Sequence, residues 1–184
     1  MPQGIVRSSR ILSAIAESAR SFARRSFRFF RLRKDGCLIK FELLVPSHPL
    51  WEALAEYAQA CPWRAGESLA RDMHAGVFVD WERVIAAMDG GKICGYCTAA
   101  EKDCIPEVDY TPYIGYVYVD EACRGQRLSQ RMIGFAMDYL RFLGFGEAYL
   151  VSDYENLYEK YGFVVVDRKL APWGSLEKIY RHDL

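Results

Sequence analysis

The sequence predicts an α/β (α+β) domain whose elements run β-α-α-β-β-β-α-β-α-β-β along 184 residues. Three observations predict it. Short runs alternating apolar and polar residues are interleaved with longer runs in which apolar residues recur every three or four positions, the periods of strands and helices. Between a strand ending at Val119 and a helix opening near Gln126 lies a short loop containing Arg124 and Gly125. Hydrophobic residues make up 51% and charged residues 26%, ordinary globular usage that supplies a core without disulfide staples.

Residues 38–44 alternate as a first strand should. Residues 49–59 and 66–74 read as two short helices on either side of the Cys61-Pro62-Trp63 break. Residues 83–88 and 92–100 form a hairpin across Asp89-Gly90-Gly91. A loop covers 101–110, and 113–120 is a run of aromatic and β-branched residues suited to a strand. The next helix carries Leu128, Met132, Phe135, Ala136, Tyr139, Leu140 and Leu143 on one face, with Gly144 as its stop. Residues 148–152 read as a strand, 156–161 as a short helix, and 163–167 and 176–180 as two final strands.

Charge divides the chain unevenly. Residues 1–36 carry nine Lys and Arg against Glu17 and Asp35, a net of +7, whereas 37–184 carry −7. The acidic body predicts no nucleic-acid surface. No run of 18 apolar residues exists, so no membrane-spanning helix is expected. The division gives two regions: a basic Arg/Ser-rich extension at 1–36 and a domain at 37–184. The extension has the composition of an organelle transit peptide. It equally suits a basic helix on an anionic membrane or acidic partner, or an upstream segment outside the fold.

Cys37, Cys61, Cys94, Cys97, Cys104 and Cys123 are too dispersed for a secreted disulfide scaffold. With no secretory signal recognisable, reduced thiols and a cytoplasmic setting are expected, an organelle being the alternative. Cys94 and Cys97 have the spacing of a redox pair or zinc knuckle, but they fall on a predicted strand. There, residues three apart face opposite sides, and no helix N-terminus lowers a thiol pKa. No metal site is expected, and His48, His74 and His182 form no constellation with the cysteines.

The loop after Val119 carries the chemistry. A strand, a short loop and a helix start make an anion site from main chain alone, because the first N–H groups of a helix lack internal partners. Gly125 lets backbone approach a phosphate, and Ser129 adds a hydroxyl. This stretch resembles the pyrophosphate loop of the GNAT superfamily of acyl-CoA-dependent N-acetyltransferases, Arg/Gln-x-x-Gly-x-Gly/Ala after a strand ending in Val-Asp/His-Pro. Val119-Asp120 and Arg124-Gly125-Gln126 fit that pattern; Arg127 stands where a second glycine is usual, and Ser129 for the final small residue. Leu157-Tyr158-Glu159-Lys160-Tyr161-Gly162-Phe163 resembles a second family segment, opened by Ser152-Asp153, and Thr111-Pro112-Tyr113 resembles a third.

The resemblance covers 37–184 and implies a GNAT fold: a central mixed, mostly antiparallel sheet of six or seven strands flanked by about four helices. It implies acetyl-CoA as co-substrate and direct attack by a primary amine of a small molecule or peptide, through a tetrahedral intermediate. It also assigns backbone at Val117, Tyr118 and Val119 to pantetheine, and Arg124, Gly125, Gln126, Arg127, Leu128 and Ser129 to the pyrophosphate. Arg127 would either crowd the pyrophosphate or pair with a CoA phosphate. Tyr158 matches a family tyrosine that protonates the leaving thiolate. Glu107 and Asp109, ahead of the central strand, are the first candidates for the general base; Glu82, His74 and His48 are further ones. Trp51, Tyr57, Trp63, Trp81, Tyr110 and Tyr113, with Glu67, Asp72, Glu107 and Asp109, suit a small cationic acceptor. A homodimer is one possible assembly. The alternative of another class is a non-catalytic acyl-CoA-binding sensor or interaction module.

Because residues 1–36 share neither charge nor pattern with the rest, a chain beginning at Asp35 is expected to fold and keep its cofactor affinity. Calorimetric melting of the truncated and full chains tests this; a large drop in Tm on truncation refutes the boundary.

Overall fold

A computed structural model describes residues 39–78 and 80–184. Cys37, Leu38 and the basic extension lie outside the described residues. Seven strands form one sheet: β1 (Ile39–Leu44), β2 (Arg83–Asp89), β3 (Lys92–Ala100), β4 (Tyr113–Val119), β5 (Glu147–Ser152), β6 (Val164–Leu170) and β7 (Leu176–Asp183). Among the described residues three α-helices accompany them: α1 (Trp51–Ala60), α2 (Ala65–His74) and α3 (Leu128–Phe142). The sheet order is β1-β2-β3-β4-β5-β7-β6, with every neighbouring pair antiparallel except β4 and β5. The expected mixed, mostly antiparallel α/β sheet is what forms. No helix among the described residues is long and apolar enough to cross a membrane.

Each face of the sheet buries a separate core. On one side the apolar stripe of α3 (Leu128, Met132, Ile133, Ala136, Tyr139, Leu140) packs on Ile85, Ala87, Cys97, Ile114 and Leu150. On the other, Leu54, Ala58, Leu69 and Met73 of α1 and α2 pack on Val84, Ala86, Tyr96 and Tyr118. The central strands are therefore apolar on both faces, which is why β2 reads as a continuous apolar run. A third, smaller cluster of Ile105, Tyr113, Tyr149, Ala171 and Ile179 closes the end where β4 and β5 begin.

Two local features depart from the sequence reading. Ala87 pairs with Gly95 and Met88 with Ile93, leaving Cys94 as the extra residue of a β-bulge. One extra residue inverts the side-chain alternation, so Cys94 and Cys97 share the α3-side core instead of facing opposite sides. Both are buried, and desolvation pushes the Cys97 thiol pKa upward, away from reactive thiolate. The second is the predicted helix at 156–161. Asn156 (φ +58°) and Gly162 (φ +93°) are both left-handed, so that segment contracts to a single 3-10 turn, Glu159–Tyr161.

The corner between α1 and α2 is set by close approach. A Cβ on Gly66 would lie 2.2 Å from the Ala58 carbonyl oxygen, 2.6 Å from the Cys61 sulfur and 2.9 Å from the Tyr96 hydroxyl. Gly66→Ala is therefore expected to cost about 1–3 kcal/mol by forcing α2 off the sheet. Denaturant unfolding checks it; an unchanged midpoint would mean that the corner has slack.

Candidate active site

Strands β4 and β5 run parallel but pair at only one position, Tyr113 with Tyr149, reinforced by a hydrogen bond from the Tyr149 N–H to the Pro112 carbonyl (2.8 Å). Beyond that point they diverge. The opening is a cleft of about 1120 Å³, bounded by Ile114–Val119 on one side and Leu150–Tyr154 on the other. A bulge in β4 shapes it. Between the pairs Thr98–Gly115 and Tyr96–Tyr118, β3 advances two residues and β4 three, and Tyr116 takes a left-handed φ of +49°. Val117, Tyr118 and Val119 all line the cleft, on the β4 edge that has no strand beside it.

At the C-terminal end of β4 the chain turns into α3. Asp120 caps the intervening 3-10 turn, accepting bonds from the Ala122 N–H (2.9 Å) and the Tyr57 hydroxyl (2.9 Å). These two donors hold its carboxyl below the usual range. Gly125 (φ +82°) and Arg127 (φ +53°) then bring the backbone into the helix through left-handed conformations. The position where the family pattern has its second glycine thus keeps a glycine-like backbone, although the residue is arginine. The first N–H of α3 to reach a carbonyl behind it is that of Arg131, on Arg127 (3.1 Å). Those of the preceding turn point outward and carry the positive end of the helix dipole.

Side chains in this loop are placed unequally. Arg124 lines the cleft but is tied back, its Nε donating to the Val119 carbonyl and its Nη1 to Glu121. The Ser129 hydroxyl also lines the cleft and shares a 3.0 Å bond with the Tyr161 hydroxyl, linking α3 to the 3-10 turn. Gly125, Gln126 and Arg127 are exposed, and Leu128 is buried in the α3 core.

Tyr158 stands at the start of the 3-10 turn, 5% exposed, its ring packed against Tyr161, Phe163 and Tyr180. It lines the cleft beside Ser152 and Leu157. Burial pushes its hydroxyl pKa well upward, with a hydrogen bond to Ser152 acting in the opposite sense, so it carries its proton at neutral pH. Gly162 closes the turn; a Cβ there would meet the His182 ring at 2.9 Å.

The base candidates separate. Glu107 and Asp109 are exposed on the β3–β4 loop and do not line the cleft. Glu82 does line it, and accepts the Glu101 N–H at 2.8 Å. His48 accepts the Leu50 N–H and faces Glu42, His74 faces Glu52, and neither borders the cleft. Of the expected acceptor residues, Trp63 and Asp72 line the cleft, with Asp72 accepting the Tyr116 hydroxyl at 2.7 Å. Trp51 and Trp81 are core. Asp103, Trp173 and Glu177 also line the cleft, and sequence reasoning missed all three. Asp103 comes from a loop and Trp173 from the β6–β7 hairpin tip, where no period marks a residue's direction, and Glu177 lies at the start of β7. Among the described residues, no group of three or more His, Cys, Asp or Glu is arranged to hold a metal ion.

These features fit acetyl-CoA: outward N–H groups at a helix start for a pyrophosphate, and an unpaired β4 edge for the pantetheine amides. Comparison with known proteins agrees. The model of the acetyltransferase (GNAT) family matches residues 42–163. A search of curated proteins finds no sequence match. Among solved structures, an aminoglycoside 6'-acetyltransferase type Ii is 17% identical with a TM-score of 0.61, covering 78% of this chain and 96% of its own. A GNAT family acetyltransferase from Elizabethkingia anophelis with acetyl-CoA bound is 14% identical with a TM-score of 0.57, covering 82% and 100%. The NatC complex bound to Gag peptide and CoA is 17% identical with a TM-score of 0.54, covering 79% and 98%. The fold, the splayed strands and a family match spanning well over half of its length make this chain a member of the GNAT acetyltransferase family.

Proposed function

We propose that this acetyltransferase acetylates a primary amine on a small cationic molecule. The observation that carries this reading is the make-up of the cleft. Besides the α3 entry and Tyr158, its lining holds six carboxylates (Asp72, Glu82, Glu101, Asp103, Asp153 and Glu177) against the cations Lys102 and Arg124, with Trp63, Phe78 and Trp173 among them. Carboxylates with aromatic faces favour an ammonium group over an anion.

Acetyl-CoA supplies an activated thioester carbonyl. The backbone N–H groups from Gly125 to Ser129 would hold its pyrophosphate, and the main chain of Val117–Val119 would orient the remainder. Arg127 is exposed next to those N–H groups and adds a cation. Tyr158, protonated and buried, gives its hydroxyl proton to the departing sulfur. Packing of its ring on Phe163 and Tyr180 fixes where that hydroxyl points.

A panel of amines incubated with acetyl-CoA, followed by thiol release, tests the class. Small polycations are expected to turn over fastest; preference for peptide N-termini or for neutral amines would overturn the small cationic acceptor. With the amine so found, Tyr158→Phe is expected to lower kcat by about 10²–10⁴ while leaving KM and CoA affinity nearly unchanged. Full turnover in that variant removes Tyr158 from the mechanism. Arg127→Gly keeps the left-handed turn and removes the guanidinium. It is expected to raise stability by about 1 kcal/mol and to weaken CoA by about 1–3 kcal/mol. Thermal melting and calorimetry read the two effects separately, and tighter CoA binding would show that Arg127 obstructs the site.

A further inference from the structure

Gly115 of β4 lacks a side chain where one would have filled the cleft floor. A Cβ there would lie 2.9 Å from Asp103 Oδ2 and 3.1 Å from Thr98 Oγ1, so the carboxylate of Asp103 lies across the space left by the missing methyl. Asp103 Oδ1 accepts its neighbour's N–H, that of Cys104, at 2.6 Å, which fixes the rotamer and leaves Oδ2 as the oxygen turned toward Gly115. Both Asp103 and Gly115 line the cleft, one residue before the bulge at Tyr116.

We infer that Asp103 is the general base of the acetyl transfer, with Oδ2 taking the proton of the acceptor amine. The inference rests on the acetyl-transfer reading above. The C–N bond forms as the amine's N–H proton passes to Oδ2, giving a tetrahedral intermediate, which collapses with cleavage of the C–S bond as Tyr158 protonates the sulfur. Solvent then resets both residues. Glu107 and Asp109 are exposed outside the cleft, Glu82 is engaged with the Glu101 backbone and Asp72 with the Tyr116 hydroxyl; Asp103 is the carboxylate whose oxygen lies over Gly115 of β4.

The environment suits a base. Desolvation raises the Asp103 carboxyl above its ordinary value, against the bonds from Cys104 that lower it. The ionisable groups facing it are the Cys104 thiol on its own loop and Tyr113 and Tyr116 of β4, with Glu177 of β7 beyond Cys104. Each of these is anionic when ionised. The thiol and both phenols are themselves pushed upward and stay neutral, so they do not titrate near neutrality. A base whose pKa approaches the working pH is the more effective one.

The test is Asp103→Asn in the full chain. Turnover should fall by about 10²–10⁴ with CoA affinity unchanged, and the rise of kcat with pH expected of the wild type should be absent. A raised carboxyl pKa stabilises the fold only at low pH, and that contribution is lost as pH rises through the folded value. Removing the charge should therefore raise Tm near neutral pH, with the gain shrinking toward acid; a merely structural carboxylate would lower it. Gly115→Ala is the second variant. It displaces the carboxylate without changing charge and should cost at least tenfold in kcat. Asp103→Asn with wild-type turnover and pH profile overturns Asp103 alone. A wild-type chain that binds CoA but releases no thiol with any amine overturns the acetyl-transfer reading and this assignment together.

Discussion

The site depends on two parallel strands that are joined at one end and free at the other. Tyr113 and Tyr149 make the single pairing between β4 and β5. Their rings, 5.9 Å apart, sit in the small cluster with Ile105 and Ile179 that seals that end. An unpaired strand edge inside a protein is normally costly, because its N–H and C=O groups need partners. Here the edge is tolerated because it borders a cleft, and a ligand bearing amides can complete the ladder. The sheet is whole on either side of the gap, β1 to β4 and β5 to β6 each being continuously paired. The opening is thus a discontinuity held between two rigid bodies of strand.

Aromatic contacts keep the β4 wall in place. Trp63 stacks on Tyr118 (6.0 Å between ring centroids, 8° between planes), and Tyr118 on Tyr96 (5.2 Å). Tyr57 packs edge-on against Tyr96 and donates its hydroxyl to Asp120. A continuous path therefore runs from the α1–α2 corner, through β3 and β4, to the residue that caps the turn into α3. Tyr116 adds a parallel link to α2 through Asp72. The two helices on this face thus position the anion loop on the other. Rings have few rotatable bonds, so ordering them costs little entropy for the area they bury.

Much of this was legible in the sequence because it is periodic or motif-bound. Strand and helix spans followed from the 2 and 3.6 periods, and the α3 entry from Val119-Asp120 and Arg124-Gly125-Gln126. What escaped was set by single residues that break a period. The bulge at Cys94 inverts β3, and Gly95 beside it is the one residue of Lys92–Ala100 that hints at it. Asn156 carries a left-handed φ that ended a predicted helix. The cleft carboxylates differed for a similar reason. Glu107 and Asp103 are four residues apart on one loop, and only the folded course of that loop shows which of them comes to rest on Gly115. A missing Cβ on a strand is visible in sequence; the side chain that occupies its space is not.

Desolvation acts on the two ends of the proposed proton path in the same direction and with opposite use. It raises the Tyr158 hydroxyl, and it raises the Asp103 carboxyl. For a phenol, which ordinarily titrates near 10, the shift only secures the protonated form, so Tyr158 is always loaded as a donor. For a carboxyl, which ordinarily titrates near 4, the same shift increases proton affinity while leaving the anion accessible. One low-dielectric cleft can therefore set a donor and an acceptor at once. Their separation of function comes from intrinsic chemistry, and the fold has only to set both beside the same opening.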